Sequence, residues 1–298
     1  MVCKEKFIYT NALLLILTAA SLAISCTADS EGEEPLALEG QWKLQALENL
    51  EINNINATTT PILFSTSAGV YAKEQEVFVE FGLQAKSVLN VVETSNSYIA
   101  ALKVPYVISG DTIFFKREAG TNNWAPFLNN YGGKEGTETW ISNLEVSPNN
   151  QNILFASGGN NIIKSTDGGI KWFVVFGYWD SMGKNFFIKI DENTVWTGGV
   201  NAIFEPVLLR SEDGGETWQN LSKNMQIIDN LRYEANAYDL AIRAGKSTHL
   251  LVSLGIGILK STNNGADWNP VFDKAFILSF AHSARNPEVV YASGINQN

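Results

Sequence analysis

Short apolar runs separated by turn residues recur along most of the chain. Residues 77–81, 88–92 and 106–108 are runs of this kind in the first half. In the second half, four such runs each end in glycine, at residues 154–158, 195–198, 251–255 and 290–294. Runs this short, bounded by glycine and asparagine, are typical of β-strands joined by tight turns. The pattern therefore predicts an all-β protein.

Three eight-residue segments in the second half align without gaps and share the pattern S-x-D/N-x-G-x-x-W. Their tryptophans lie 46 and 50 residues apart. The defining positions are Ser165, Asp167, Gly169, Trp172, Ser211, Asp213, Gly215, Trp218, Ser261, Asn263, Gly265 and Trp268. A period of about 40–50 residues is typical of the blades of a β-propeller.

The residue types in this pattern are those of a hairpin turn. An Asp or Asn side chain can accept hydrogen bonds from backbone N–H groups of the turn, and glycine supplies positive φ without a steric penalty. The tryptophan can pack beneath the turn. Since the pattern contains no nucleophile and no proton donor, we interpret Asp167 and Asp213 as structural rather than catalytic residues.

The pattern resembles the Asp box, or BNR repeat, of sialidases, sortilins, xyloglucanases and photosystem II assembly factors. The resemblance covers residues 110–298 and implies a β-propeller of four-stranded blades, with each box between strands three and four. An earlier, degenerate unit keeps Trp124 but lacks the serine and aspartate. We expect an incomplete propeller of about three to four blades. The alternative is a closed ring of four, in which residues 289–293 pair with residues 111–116.

The start of the chain predicts export. Two lysines precede an uncharged apolar stretch, so residues 1–25 are interpreted as a signal peptide, with a membrane-anchoring helix as the alternative. Residues 22–26 resemble a bacterial lipobox, which implies cleavage before Cys26 and a lipid on its thiol. Residues 26–35 form an acidic tether that resembles the surface-export signal of Bacteroidetes lipoproteins; an ordinary charged linker is the alternative. The expected location is the outer membrane or cell surface, with the membrane contacted through the lipid anchor.

Residues 36–109 are expected to form a β-rich segment before the propeller. Residues 38–44 contain a G-x-W sequence that resembles the opening of bacterial lipocalin-like domains. An irregular β lead-in packed on the first blade is the alternative. The boundary between this segment and the propeller is placed at residue 110.

Charge and cysteine content exclude several classes of partner. The net charge of -10 argues against nucleic-acid binding, which requires a basic surface. Removal of Cys3 with the signal peptide and acylation of Cys26 leave no thiol for a disulfide or a metal site. The two histidines lack the spacing of a metal pair, and no phosphate-binding glycine loop occurs. We therefore expect neither a metal nor a cofactor.

Candidate catalytic residues are scattered and match no motif. The five arginines do not suggest the triad with which a sialidase grips a carboxylate. A xyloglucanase-type enzyme needs two carboxylates facing one cleft, and the candidates are Asp180, Asp191, Glu192, Glu205 and Asp239. Tyr178 and Trp179 could form a platform for a sugar, with core packing as the alternative. The favoured function is a non-catalytic binding module for a protein or glycan; the alternative is a glycoside hydrolase of the xyloglucanase type.

Overall fold

The computed structural model is built almost entirely of antiparallel β-strands in two compact units. The larger unit consists of Gln45–Ile203 and Leu208–Asn220, and the smaller one of Met1–Leu44, Phe204–Val207 and Leu221–Asn298. The structure describes residues 6–10, 21–25, 47, 50–56, 59, 61–74, 77–104, 112–131, 141–158, 161–177, 184–191, 193–201, 205–225, 236–242, 249–254, 257–272, 275–282 and 290–296.

Short strands of similar length follow one another along the chain. The chain begins with an antiparallel pair, β1 (Lys6–Thr10) and β2 (Ser21–Ser25). The first four-stranded sheet comprises β3 (Ile52–Asn56), β4 (Ile62–Thr66), β5 (Gly69–Glu74) and β6 (Val77–Gly82). The second comprises β7 (Val88–Glu93), β8 (Ser97–Leu102), β9 (Phe114–Glu118) and β10 (Trp124–Pro126). The third comprises β11 (Asn143–Val146), β12 (Leu154–Gly158), β13 (Asn161–Ser165) and β14 (Phe173–Gly177).

Two further four-stranded sheets and one strand pair complete the described chain. The fourth sheet comprises β15 (Lys184–Asp191), β16 (Thr194–Val200), β17 (Pro206–Ser211) and β18 (Gln219–Asn220). A 3-10 turn, Ser222–Met225, follows it. The fifth comprises β19 (Asp239–Ile242), β20 (Leu250–Ser253), β21 (Ile258–Ser261) and β22 (Asn269–Phe272). The last pair is β23 (Ala275–His282) and β24 (Val290–Asn296).

Every four-stranded sheet has the same topology, in which consecutive strands are neighbours. Such a meander needs only tight turns, which the glycine- and asparagine-rich sequence supplies. In the first, third and fourth sheets, the two middle strands are the most buried; all five residues of β12, for example, are shielded from solvent. These strands carry the continuous apolar runs of the sequence because both of their faces are covered.

Apolar side chains from neighbouring sheets of the larger unit form shared cores. Leu63 and Val70 of the first sheet pack with Val91 of the second. Phe114 of the second packs with Leu154 of the third, and Phe155 of the third packs with Ile188 of the fourth. The smaller unit has its own cluster, in which Ile258, Phe272, Ile277 and Ala292 are buried together. Within each unit, neighbouring sheets are therefore stabilised mainly by burial against one another.

Polar side chains on first strands connect adjacent sheets. In the larger unit, the amides of Asn53 and Asn56 in β3 donate to the carbonyl oxygens of Val88 and Val91 in β7, at 2.7 and 3.0 Å. Asn90 in β7 donates in turn to the carbonyl oxygen of Leu144 in β11, at 2.7 Å. Hydrogen bonds between sheets therefore explain Asn53, Asn56 and Asn90, since an amide that is buried or partly buried needs a partner.

The sheets correct the predicted boundary at residue 110. Strand β8 pairs with β9 from Ser97↔Glu118 to Ala101↔Phe114, so one sheet crosses that position. The preceding residues form a regular four-stranded sheet of the same kind, which neither the lipocalin-like nor the irregular lead-in hypothesis predicted. The G-x-W residues that suggested a lipocalin lie outside the described part of the chain.

The number of complete sheets after residue 110 agrees with the expected number of blades. Within the described part of residues 110–298, three four-stranded sheets are complete: β11–β14, β15–β18 and β19–β22. The first two sheets lie wholly or partly before residue 110 and were not part of that expectation. The alternative, closure of a four-bladed ring through residues 111–116, is contradicted because β9 has β8 on one side and β10 on the other. None of the described residues belongs to a helix long and apolar enough to span a membrane.

Candidate functional site

All three boxes lie where the resemblance implies, between the third and fourth strands of a sheet. They connect β13 with β14, β17 with β18, and β21 with β22. In each, the serine ends the third strand and is shielded from solvent, whereas the residue two positions later is exposed. The same local sequence therefore forms the same turn in three sheets.

A serine hydroxyl and a carboxylate organise the first two turns. Ser165 donates to Asp167 Oδ1 at 2.9 Å and accepts the N–H of Gly169 at 2.8 Å. Asp167 Oδ1 also accepts the N–H groups of Ile170 and Lys171, at 3.1 and 2.8 Å. The carboxylate thereby satisfies backbone donors that the tight turn leaves without strand partners.

The second box repeats these bonds with one addition. Ser211 donates to Asp213 Oδ1 at 2.8 Å and accepts the N–H of Gly215 at 2.7 Å. Asp213 Oδ1 accepts the N–H groups of Glu216 and Thr217, at 3.0 and 2.8 Å. The Thr217 hydroxyl adds a bond of 2.6 Å to Asp213 Oδ2. Both carboxylate oxygens of Asp213 are thus engaged within the turn.

A neutral amide performs the same role in the third box. Ser261 donates to Asn263 Oδ1 at 3.0 Å and accepts the N–H of Gly265 at 2.9 Å. Asn263 Oδ1 accepts the N–H of Asp267 at 2.9 Å, and its Nδ2 donates to Asp267 Oδ2 at 2.7 Å. The turn therefore requires an acceptor oxygen at this position, and a negative charge is dispensable.

The hydrogen bonds of the first two boxes act on the acidity of their carboxyl groups. Burial would raise the pKa of Asp167, but bonds from the Lys171 N–H and the Ser165 hydroxyl outweigh it and lower the pKa. The Thr217 hydroxyl and N–H, with the Ser211 hydroxyl, hold the pKa of Asp213 far below its usual range. A general acid at neutral pH needs a raised pKa, so neither carboxyl is suited to donate a proton.

The glycine and the tryptophan of each box stabilise the turn through the backbone conformation of the glycine and an indole hydrogen bond. Gly169 and Gly215 have φ values of 91° and 94°, which favour glycine. A Cβ on Gly215 would lie 2.8 Å from the ring of Phe155 in the preceding sheet, so a side chain would also collide there. The indole N–H donates to the carbonyl oxygen of the box glycine in all three boxes, as in Trp172 to Gly169 at 2.7 Å.

Burial of the tryptophans differs between the boxes. Trp172 and Trp268 are 2% and 1% exposed, as expected for rings beneath a turn. Trp218 is only partly buried and contacts Phe176 at a centroid distance of 5.8 Å. The ring of Trp218 is therefore less well covered than the other two, although its indole N–H makes the same bond to its box glycine.

The basic residue before each box has a different environment in each sheet. The side chain of Lys164 is only 7% exposed, and its Nζ lies 3.0 Å from Glu216 Oε1 in the next box. The side chain of Arg210 is 12% exposed and bonds Gln219 and Glu212. Lys260 is exposed. A partner in the neighbouring sheet explains why Lys164 can be buried, and no local motif signals that partner.

The degenerate unit of the second sheet replaces the box by a cation. The Arg117 guanidinium donates to the carbonyl oxygens of Thr121 and Phe81, at 2.5 and 2.6 Å. Trp124 donates its indole N–H to the same Phe81 oxygen at 3.0 Å, instead of to a box glycine. In this turn the Arg117 guanidinium donates hydrogen bonds to backbone carbonyl oxygens, whereas the carboxylates of Asp167 and Asp213 accept hydrogen bonds from backbone N–H groups.

Other predicted site residues are dispersed or undescribed. Cys26, Tyr178 and Trp179 lie outside the described residues, as do the candidate acids Asp180 and Glu192. Asp239 is 6% exposed, and its carboxylate accepts the N–H groups of Leu240 and Phe280, both at 2.8 Å. It thus joins β19 to β23. Among the side chains that the structure describes, no group of three His, Cys, Asp or Glu residues could hold a metal ion.

Solved structures of other proteins share the fold of this chain. The extracellular domain of a putative hybrid two-component system of B. thetaiotaomicron matches 99% of this chain and 40% of its own, with a TM-score of 0.64 and 10% identity. The match to YCF48 bound to D1 peptide covers 98% of this chain and 92% of that structure, with a TM-score of 0.62 and 14% identity. The match to the GH74 xyloglucanase from Xanthomonas campestris covers 96% of this chain and 48% of the enzyme, with a TM-score of 0.54 and 13% identity.

These neighbours are sialidase-like β-propeller proteins, and the chain has an all-β propeller fold. Enzymes and non-enzymatic domains are both found among them. The chain spans less than half the length of the first and third of these structures. No model of a known protein family matches the chain, and no curated protein matches it.

Proposed function

We propose that the chain is an exported lipoprotein whose propeller acts as a non-catalytic binding module. Its ligand is a protein segment or a glycan, presented at the outer surface of the cell. The observation that carries this proposal is the state of the boxes: the carboxylates of Asp167 and Asp213 serve backbone donors and have lowered pKa values. The most regular motif of the sequence thus builds the scaffold, leaving function to surfaces around it.

Similarity of size favours a binding module over an enzyme. The likeness to YCF48 extends over 98% of this chain and 92% of that structure, in which YCF48 is bound to a peptide. A ligand of the same class, an extended protein segment, is therefore the first to test. The likeness to the xyloglucanase covers only 48% of that enzyme.

The second candidate, a glycoside hydrolase, rests on the GH74 neighbours and on a carboxylate in a β-sheet core. Asp239 is the most buried of the described candidate acids, but both of its oxygens serve backbone N–H groups. A general acid or a nucleophile must instead reach the glycosidic bond within a pair of carboxyl groups about 5–10 Å apart. The hydrogen bonds of Asp239 therefore favour a structural role.

Lipid anchoring is tested by fractionation. We expect the full chain to remain with membranes after a carbonate wash, because an acylated Cys26 would carry several lipid chains. The variant Cys26→Ser should appear in the soluble fraction, and Cys3→Ser, which changes a residue of the signal peptide, should stay with the membrane. A Cys26→Ser protein that resists the wash would refute the lipoprotein hypothesis.

Ligand binding is tested with two classes of probe. Binding of unstructured peptides and of xyloglucan oligosaccharides is measured for the wild type, for the double variant Tyr178→Ala/Trp179→Ala, and for Phe173→Ala, which removes an exposed ring earlier in the sequence. If Tyr178 and Trp179 stack on a sugar, only the double variant loses oligosaccharide binding, by about 10–100-fold. Binding of neither probe class by the wild type contradicts the proposal.

A further inference from the structure

The third box contains the single Asn-Gly pair of the sequence, Asn264-Gly265. Asn264 occupies the position that glycine holds in the other two boxes, Gly168 and Gly214. Its φ of 61° lies in the left-handed region, which asparagine tolerates better than most residues. The pair is therefore compatible with the turn, but it brings a chemical reactivity that the other boxes lack.

An asparagine followed by glycine can lose its side-chain amide. The backbone nitrogen of Gly265 gives up its proton to a base and attacks Asn264 Cγ, forming a carbon–nitrogen bond. The Cγ–Nδ2 bond breaks, and the nitrogen leaves as ammonia after taking up a proton. Water then opens the resulting five-membered imide at either carbonyl, which leaves aspartate or isoaspartate at position 264. No oxidant, reductant or cofactor takes part.

The box controls the nucleophile of this reaction. The N–H of Gly265 donates to Ser261 Oγ at 2.9 Å, and both residues are buried, with Ser261 only 1% exposed. A base in solution cannot reach this N–H while the bond is intact. Trp268 and Asn224 further hold the peptide group that follows, since both donate to the carbonyl oxygen of Gly265, at 3.1 and 3.0 Å. Attack on Asn264 therefore requires that the turn first opens.

We propose that Asn264 is a deamidation site gated by the third Asp box, so that its modification records local opening of that turn. The aspartate product can occupy the same left-handed conformation. The isoaspartate product cannot close the same turn, because it adds a carbon to the backbone between Asn264 and Gly265. Isoaspartate at position 264 therefore prevents the third box from re-forming its turn. The first two boxes have glycine at this position and cannot deamidate there.

The test measures deamidation at Asn264 by peptide mass spectrometry during incubation at mildly alkaline pH. Ser261→Ala removes the acceptor of the Gly265 N–H and should accelerate deamidation about tenfold, the factor that corresponds to about 1.4 kcal/mol for one lost hydrogen bond. Ser211→Ala opens the box that has Gly214 instead and should leave the Asn264 rate unchanged. Wild-type protein unfolded in urea should deamidate at Asn264 faster than Ser261→Ala does.

Asn96 precedes Ser97, which is 4% exposed and pairs with Glu118 in the second sheet, so deamidation at Asn96 in the same digests reports unfolding beyond the third box. Acceleration at Asn264 with an unchanged rate at Asn96 supports the proposal. An equal Asn264 rate in the folded and unfolded wild type, or no acceleration in Ser261→Ala, overturns it. If Ser261→Ala unfolds the whole chain, both deamidation rates rise, and a second experiment on the wild type replaces this comparison.

The second experiment measures the deamidation rate at Asn264 and the hydrogen-exchange rate of the Gly265 amide in the wild type at low urea concentrations. Rates that rise together with urea support the proposal, and a deamidation rate that does not change with urea contradicts it.

Discussion

Replacement of Trp172 by alanine tests whether the box tryptophans hold the sheets together. The indole is 2% exposed, stacks on Phe114 with ring centroids 5.6 Å apart, and meets the edge of Tyr131 at 5.9 Å. Its N–H donates to the Gly169 carbonyl oxygen. Trp172, Phe114 and Tyr131 belong to one core cluster, which the second and third sheets of the larger unit share.

The expected loss follows from the buried area. A buried tryptophan removes about 200 Å² from water, which at about 25 cal/mol per Å² corresponds to about 5 kcal/mol. Loss of the indole hydrogen bond adds about 1 kcal/mol, and partial collapse of the site offsets a similar amount. We therefore expect Trp172→Ala to lower the free energy of unfolding by about 4–5 kcal/mol.

Trp218 provides the matched control within the same protein. Its indole makes the same hydrogen bond to its box glycine but remains partly exposed. Trp218→Ala should therefore cost about 2 kcal/mol, roughly half the buried-ring value. Urea denaturation followed by far-UV circular dichroism measures both variants without relying on the fluorescence of the deleted ring. Equal losses for the two variants, or a loss below about 1 kcal/mol for Trp172→Ala, would refute the packing argument.

Two further predictions concern the charges of the boxes. Because the folded-state pKa of Asp213 is depressed, its contribution to stability is present above the unfolded pKa of about 3.9 and is lost as pH falls through the folded value. Thermal denaturation from neutral pH downwards should therefore show a wild-type advantage over Asp213→Asn that shrinks in acid; a gap independent of pH contradicts this. Lys164→Ala should lower the unfolding free energy by about 1–2 kcal/mol, since the buried chain loses its packing on Phe155 and its bond to Glu216. Lys260→Ala, at the exposed equivalent position, should change it by less than about 0.5 kcal/mol, and equal effects in urea denaturation would contradict the burial argument.

Features whose hydrogen bonds lie within a few consecutive residues could be predicted from the sequence. Serine, aspartate and glycine within five consecutive residues are enough to specify the turn, because their hydrogen bonds all stay inside it. The three boxes, their positions between strands and the roles of Asp167 and Asp213 could therefore be read directly. The all-β propeller fold that they implied is confirmed.

Features that depend on hydrogen-bond partners far apart in the sequence could not be predicted from it. The first sheet has no box between β5 and β6, and the second uses Arg117, whose partner Phe81 lies 36 positions earlier. Without the motif, the first sheet and strands β7 and β8 of the second were assigned to a separate segment, residues 36–109. Burial of Lys164 depends in the same way on Glu216, 52 positions later in the next sheet. Such pairings follow from the packing of one sheet on another and leave no periodic signal in the sequence.

The most direct test of the central claim is the release of reducing ends from xyloglucan by the purified protein. If the propeller is a binding module with structural boxes, release over time should equal that of buffer alone, and a GH74 xyloglucanase assayed in parallel should show clear turnover. Release above the buffer level that disappears in Asp239→Asn, while Asp213→Asn retains it, would contradict the account. That result would identify the chain as a glycoside hydrolase.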